Sequence, residues 1–398
     1  MQINVCMLNM RRFLGILVCL IMCSTCLHAG SSDSIRFSLL TCAPGTEIYS
    51  LFGHTALRYE NLSRGEDWVY NYGMFSFRTP NFVMRFVKGE TDYQLGRIPY
   101  IYFREEYAQR GSSVYQQELN LSEGEKIKLL RLLEENYLPK NRVYRYNYFF
   151  DNCTSRARDK VEEALDGKVV YPSNPDAKTF RSIIHEYTAG YPWSEFGIDL
   201  CLGSEADEPI DERKQMFAPF YMLAFARDAK IQRNGEEESF VKTEMKAVDV
   251  EREAPSAGFL TPLCVAILLL VFTAWMVYVS IRQRKVFWLW DAILFGAQGI
   301  GGCIIAFLFF CSVHPTVGSN WLLIMLNPLP LLYLPVLIYK GIKGRKDSFH
   351  WINAVYLTLF IIAMPFLPQK FPTTIVPLAL TLWLCSVGHI YLYKKKES

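Results

Sequence analysis

At 398 residues the chain is long enough for roughly two or three domains, and its composition (51% hydrophobic, 15% aromatic, 20% charged) is more apolar than a soluble average. The formal net charge of +3 comes without a basic patch of the kind that holds nucleic acid, which excludes that class of partner. The apolar excess is concentrated at the start and in the last third.

The chain opens with Met10-Arg-Arg12, an apolar run over 13–22, and small or polar residues up to Ser31-Ser32. This is the layout of a secretory signal over residues 1–30, with an uncleaved N-terminal anchor as the other reading.

Ser34-Ile-Arg-Phe-Ser-Leu-Leu-Thr41 alternates like a strand, and residues 43–52 read as a turn leading into a short element. Gly53-His-Thr-Ala-Leu-Arg-Tyr-Glu60 and Trp68-Val-Tyr-Asn-Tyr-Gly73, separated by the polar turn 61–67, make a β-hairpin with His54 near its start. A turn centred near Ser63 and Arg64 places His54 across from Gly73, with Asn71 one diagonal step away on the same face. Asn71 there either orients the imidazole or simply bonds to backbone. Residues 75–88 carry aromatic and basic side chains, and residues 92–99 read as another strand. Ser122 and Glu125 form a capping box for a helix with Ile127, Leu129, Leu130, Leu132 and Leu133 on its apolar side.

Aromatic residues over 144–150 run into Asp151-Asn152, both good N-caps, and then Cys153, Ala157, Val161, Ala164 and Leu165 recur at helical spacing until Gly167. A cysteine on the first turn of a buried helix meets unpaired N–H groups and the positive end of the helix dipole. Both stabilise a thiolate and lower the thiol pKa, making the sulfur a nucleophile near neutral pH. A histidine upstream supplies the base. Beyond it, residues 179–187 and 215–230 look helical, 192–200 and 203–211 look like a loop-rich cover, and the charged stretch 241–257 reads as a linker.

Five apolar stretches follow, at 259–281, 286–311, 321–339, 351–367 and 374–393, each near the length that crosses a bilayer. Arg282, Arg284 and Lys285, then Lys340, Lys343, Arg345 and Lys346, then Lys394–Lys396 mark alternate connections as cytoplasmic, whereas the other short loops hold only Lys370. Residues of about 31–255 are therefore expected on the outer side of the membrane. Asp291 is expected at the cytoplasmic interface, and His314, Asn320 and Asn327 toward the outer face, meeting headgroups or packing helices. Tyr100, Tyr102 and Phe103, or Phe217, Phe220 and Tyr221, are candidates for dipping into the interface.

Of eleven cysteines, four lie in the leader, four (Cys264, Cys303, Cys311, Cys385) in spans, and Cys42, Cys153 and Cys201 in the exported part. That fits one disulfide, Cys42–Cys201, plus a working thiol, or three free thiols. No pair has zinc-type spacing, so no metal is expected, and no cofactor motif is present.

Phe52-Gly-His-Thr-Ala-Leu-Arg58 together with Asn147-Tyr-Phe-Phe-Asp-Asn-Cys-Thr-Ser-Arg156 resembles the Lnb-type periplasmic domain of Bacteroidota, and the likeness extends through Phe196-Gly-Ile-Asp-Leu-Cys-Leu-Gly203 and Gln215-Met-Phe217 to the membrane tail. In its order, histidine before cysteine, the pattern is also similar to circularly permuted NlpC-like thiol enzymes. The resemblance implies an α+β, permuted papain-like catalytic core over 31–168, a helical and loop cover over 169–240, the linker, and a bundle of five transmembrane helices over 258–394. It implies a lipoprotein N-acyltransferase that moves an acyl chain from a phospholipid donor, through a Cys153 thioester, to the α-amine of a lipid-modified lipoprotein acceptor. His54 would be the base and Asn71 its orienting partner. The rival class is a membrane-tethered cysteine peptidase or peptidoglycan amidase using the same pair.

Overall fold

The computed structural model describes residues 34–251, 255 and 258–397; the expected signal segment lies outside the described residues. A seven-stranded antiparallel sheet forms the frame of the periplasmic part, in the order β10-β5-β1-β2-β3-β4-β6. Its strands are β1 (Ile35–Cys42), β2 (His54–Asn61), β3 (Glu66–Met74), β4 (Asp92–Pro99), β5 (Val114–Leu119), β6 (Val143–Arg145) and β10 (Val241–Val248). A small second sheet pairs β7 (Lys168–Val170), β8 (Lys230–Arg233) and β9 (Glu236–Ser239).

Alternation along β1 sends Phe37 and Leu39 to one face and Leu40 and Cys42 to the other, so the sheet is covered on both sides. On the first face pack α3 (Glu123–Tyr137) through Leu129 and Leu133, and α4 (Cys153–Ala164) through Ala157, Val161 and Ala164. Each buried leucine contributes about 1.5–3 kcal/mol. Ser122 and Glu125 make the expected capping box, while Ile127, assigned to the apolar side, is exposed. The second face is covered by α2 (Tyr100–Gln109) through Phe103 and Tyr107. Between β3 and β4 lies the short helix α1 (Phe82–Lys88).

The cover consists of α5 (Phe180–Thr188), α6 (Pro192–Cys201), the single turn α7 (Glu212–Gln215) and α8 (Pro219–Asp228). Two expectations are corrected here. Residues 192–200, read as loop, are helical: Pro192 stands at the first turn, where it suits a helix, and the helix reaches Cys201. Residues 241–248, read as linker, form an edge strand on β5; its Lys242, Glu244 and Lys246 are the charges that keep a sheet edge from pairing with another chain.

The membrane part contains α9 (Pro262–Gln283), α10 (Trp288–Cys311), α11 (Leu329–Ile342), α12 (Phe349–Ala363) and α13 (Ile375–Glu397). Among the described residues, four stretches are long and apolar enough to cross a bilayer, namely α9, α10, α12 with its 3-10 extension to Phe366, and α13. The third expected span, 321–339, is not one helix. Asn327, Pro328 and Pro330 break it, leaving a 3-10 turn at Trp321–Leu323 and the 14-residue α11. Part of this irregular backbone packs against α10, which meets some of the polar groups that a bilayer would leave unsatisfied. Gln298 donates to the carbonyl of Met325 (2.8 Å), and a Cβ added at Gly302 would sit 2.1 Å from the carbonyl carbon of Asn327.

The cover sits on the connections between these helices. Gly203 N–H donates to Thr316 (2.8 Å), Asn320 Nδ2 to Leu200 (2.7 Å), Gln369 Nε2 to Leu202 (3.1 Å), and Lys370 N–H to Asp207 (2.9 Å). These are the connections without the arginine and lysine clusters, so the charge pattern and the contacts agree on which side the domain lies. Asn320 thus serves this seat, whereas His314 bonds to the carbonyl of Phe86 in α1. Asp291, expected at the cytoplasmic interface, lies in the first turn of α10, 4% exposed and bonded to His389 Nε2 (2.9 Å) and the Cys385 thiol (3.1 Å).

Candidate active site

Local sequence builds the nucleophile's helix before any tertiary contact does. Asn152 is the N-cap: its Oδ1 accepts from the N–H groups of Thr154 and Ser155 (both 2.9 Å), while the Ser155 hydroxyl accepts from Asn152 N–H (2.8 Å). Its Nδ2 donates to the carbonyls of Tyr148 (2.8 Å) and Phe217 (2.9 Å), which ties the cap to the aromatic loop before it and to the cover. Asp151 pairs instead with Arg156 (2.5 Å), whose guanidinium lies 3.5 Å from the centroid of the Tyr144 ring. Cys153 follows as the first helical residue, where the N–H groups have no partner within the helix.

The β2–β3 register pairs Leu57 with Tyr70, Arg58 with Val69 and Tyr59 with Trp68. Extended to the end of the hairpin, it sets His54 opposite Gly73. Gly73 has φ +85°, and a Cβ there would lie 3.5 Å from that of Cys153, so the helix start abuts this end of the hairpin. Gly53, at φ +77°, admits no side chain, since a Cβ would meet the Cys42 carbonyl oxygen at 2.5 Å.

His54 Nε2 lies 2.6 Å from Asn71 Oδ1. An amide oxygen only accepts, so Nε2 carries the proton and Nδ1 is left for the thiol. His54 and Cys153 are in hydrogen-bonding contact. Burial alone would raise the Cys153 thiol. The His54 charge and hydrogen bond, with the Thr55 N–H and the Thr154 hydroxyl, outweigh it and bring the thiol down to about 7. For His54, burial works downward, and the Cys153 thiolate and the bonds to Cys153 and Asn71 raise it above its ordinary value.

The structure therefore brings together all three residues singled out from the sequence. It adds Thr55 and Thr154, whose hydroxyls are 3.0 Å apart and join the strand to the helix beside the sulfur. Their positions next to His54 and Cys153 were the only signal available. The Tyr148 hydroxyl is buried without a hydrogen-bond partner. The other exported thiols differ: Cys42 and Cys201 are both unpaired, so the Cys42–Cys201 disulfide is not formed, and burial raises both. Cys42 lies under α2 beside Tyr107, whereas Cys201 ends α6.

The described residues that converge as metal ligands do are Asp291, Cys385 and His389, whose donor atoms lie within 4.8 Å of one another. They belong to the membrane part, at the end of α10 away from the cover. Chemically, the Cys153–His54 pair can attack an acyl carbonyl, hold the acyl group as a thioester and pass it on. A free N–H at the helix start is suited to a developing oxyanion.

Among family models, the one described as the Lnb N-terminal periplasmic domain matches residues 26–189, and the one described as the Lnb transmembrane domain matches residues 254–397. No curated protein and no solved structure matches the chain.

Proposed function

The chain belongs to the Lnb family, as a multi-pass inner-membrane protein with its N-terminal domain in the periplasm, and from that premise we propose that it is a lipoprotein N-acyltransferase working through Cys153. The family domains point to a lipoprotein-processing membrane protein. The observation that carries the finer reading is Cys153 at a helix start beside the Asn71-held His54, in a domain seated on membrane connections, and the lowered thiol agrees with it.

In this reading the Cys153 thiolate attacks the ester carbonyl of a phospholipid. A C–S bond forms, the C–O bond breaks, and protonated His54 gives its proton to the departing alkoxide, releasing a lysophospholipid. The α-amine of the lipid-modified lipoprotein cysteine then attacks the thioester. Its proton passes to His54, the amide forms and the thiol is regenerated after proton return. Asn71 holds the imidazole plane through both halves. The Cys153 N–H stabilises each oxyanion.

Transfer in place of hydrolysis requires that the amine reach the thioester ahead of water. A membrane seat favours this, because donor and acceptor are both lipids of the same leaflet. A tethered peptidase or amidase would need a single anchor, and this chain devotes residues 258–394 to a bundle. Within that bundle α11 and the turns before it make the third of five crossings, which returns the chain to the basic side at Lys340 and Arg345. We assign the catalytic core, of permuted papain-like (NlpC-like) type, to 31–168 and the cover to 169–240, in support of which the histidine lies on a strand and the cysteine at a helix start packed on that sheet.

The test is to incubate the full-length protein with phospholipid vesicles and look by mass spectrometry for an acyl-thioester on Cys153. Wild type should carry one acyl chain that a lipoprotein N-terminus discharges as an amide, and Cys153→Ser should carry no thioester. Absence of the thioester, or unaltered N-acylation of lipoproteins in cells lacking the protein, would overturn the proposal.

A further inference from the structure

The stretch 75–88 holds Arg78, Arg85 and Lys88 and no acidic residue, and it leaves an unusual set of apolar side chains in the open. Phe77 is 66% exposed, Val83 73%, Met84 53% and Phe86 50%. Helix α1, the second half of this stretch, buries none of its residues. A water-facing helix of this composition has no driving force to form alone, so its surroundings must supply one.

Two of those surroundings are visible. First, α1 is fastened to the outer end of membrane helix α10. The carbonyls of its last turn, which a helix leaves without partners, accept from His314 Nε2 at Phe86 (2.6 Å), the Ser312 hydroxyl at Val87 (2.8 Å) and Val313 N–H at Lys88 (2.9 Å). Phe310 and Val313, at that end of α10, are themselves exposed apolar residues. The open face of α1 is thus held at the level where a membrane helix leaves the bilayer, and it continues that helix's apolar surface. Second, the same stretch leads inward through rings. Phe86 stacks on Phe82 (6.1 Å), Phe82 on Phe75 (5.7 Å), Phe75 on Tyr93 (5.0 Å) and Tyr93 on Tyr146 (4.1 Å). Phe75 lies two residues after Gly73, the residue that abuts Cys153, and Tyr146 is close enough to feel the Cys153 charge.

We infer that α1 is inserted in the outer leaflet of the membrane and that the ring series from Phe86 to Tyr146 is the path along which a phospholipid acyl chain reaches Cys153. The inference rests on the acyltransferase reading and adds the entrance. Apolar side chains enter the acyl region, while Arg78 and Lys88 remain with the phosphates, the division that interfacial helices adopt. An acyl chain lying along the edges of these stacked rings stays out of water from the bilayer to the sulfur.

Two measurements on the full-length protein in phospholipid nanodiscs test this. With a photo-reactive benzophenone side chain in place of Met84, irradiation should attach phospholipid to residue 84, and the same group in place of Asp166 should attach none. The paired substitution Val83→Asp with Met84→Asp should slow thioester formation from bilayer phospholipid at least tenfold. It should leave acylation from a water-soluble short-chain ester, and alkylation of Cys153, within about twofold of wild type, which also shows that the variant is folded. Equal lipid attachment at 84 and 166, or an unaltered rate from bilayer phospholipid, overturns the inference while leaving the acyltransferase reading standing. Failure of wild type to be acylated by either ester overturns both.

Discussion

His54 and Asn71 stand on adjacent strands, with Nε2 of the ring 2.6 Å from Oδ1 of the amide. Because the amide oxygen cannot donate, this one contact fixes the tautomer and turns Nδ1 toward the thiol. A hydrogen bond to a group that becomes charged is worth about 1.5–3 kcal/mol. Asn71→Ala should therefore lower the rate of thioester formation roughly 10–100-fold with little change in thermal stability. Asn71→Asp, which keeps an acceptor in place, should recover part of the loss. A full rate in Asn71→Ala would remove Asn71 from the site.

The pH dependence follows from the directions of the two shifts. Cys153 loses its proton at about 7, so alkylation by iodoacetamide should rise with pH through that value. In His54→Ala the burial that raises the thiol persists and the charge that lowers it is gone. The midpoint should then move well above 7, with only the Thr55 N–H and the Thr154 hydroxyl left to oppose burial, and the neutral-pH rate should fall. Acyl transfer should also decline on the alkaline side, as His54, held above its usual value, loses the proton it gives to the leaving alcohol. Cys42 and Cys201, both raised by burial, should stay unmodified at neutral pH. A midpoint for Cys153 that ignores His54→Ala would break the pairing.

Much of the site was legible because it depends on short-range rules. The turn at 61–67 fixes the hairpin register, register fixes which residue faces His54, and Asn152 is a cap whatever the helix packs against. What the sequence concealed depends on neighbours. Strand β10 is charged because it is an edge, so its alternation lacks the apolar residues that mark a strand. Helix α6 is half-buried between the cover and the membrane connections, which blurs its period. Two of the six candidate interfacial aromatics, Phe103 and Phe217, are core residues, whereas Tyr102 is exposed and Phe77 and Phe86, not singled out, are open as well; nothing local distinguishes the two kinds. Asp291 reads as interfacial from its place near the span's end, but its partners His389 and Cys385 come from a helix some ninety positions later.

Asn152 should be the most sensitive residue of the site that does no chemistry. Asn152→Ala removes a cap, about 0.5–2 kcal/mol, and strips the donor from the carbonyls of Tyr148 and Phe217. A fraying first turn also withdraws the N–H groups that favour the thiolate. Reduced thermal stability and a slower, alkaline-shifted alkylation of Cys153 are expected together. Asn152→Asp keeps the cap oxygens and loses only the two donated bonds, so it should fall between wild type and alanine in both. Equal stability of Asn152→Ala and wild type would refute this account of the helix start.

Arg181 controls how the cover meets the membrane. It is buried between Asp199 (2.7 Å) and Asp207 (2.9 Å), and Asp207 also accepts from the Lys370 N–H at the α12–α13 connection. Removing one partner of a buried ion pair costs about 3–5 kcal/mol, since the remaining charge has neither water nor counterion. Arg181→Met should therefore loosen the cover from the connections. Proteolysis should then cut in the segment joining α6 to α7 at protease levels that spare wild type. Adding Asp199→Asn and Asp207→Asn to that variant should restore part of the protection, because the uncompensated charges are then gone. Protection in Arg181→Met equal to wild type would mean that the seat is held without Arg181, by the bonds of Leu200, Leu202, Gly203, Ser204 and Glu205 to the connections, and that the buried ion pairs set only the fold of the cover itself.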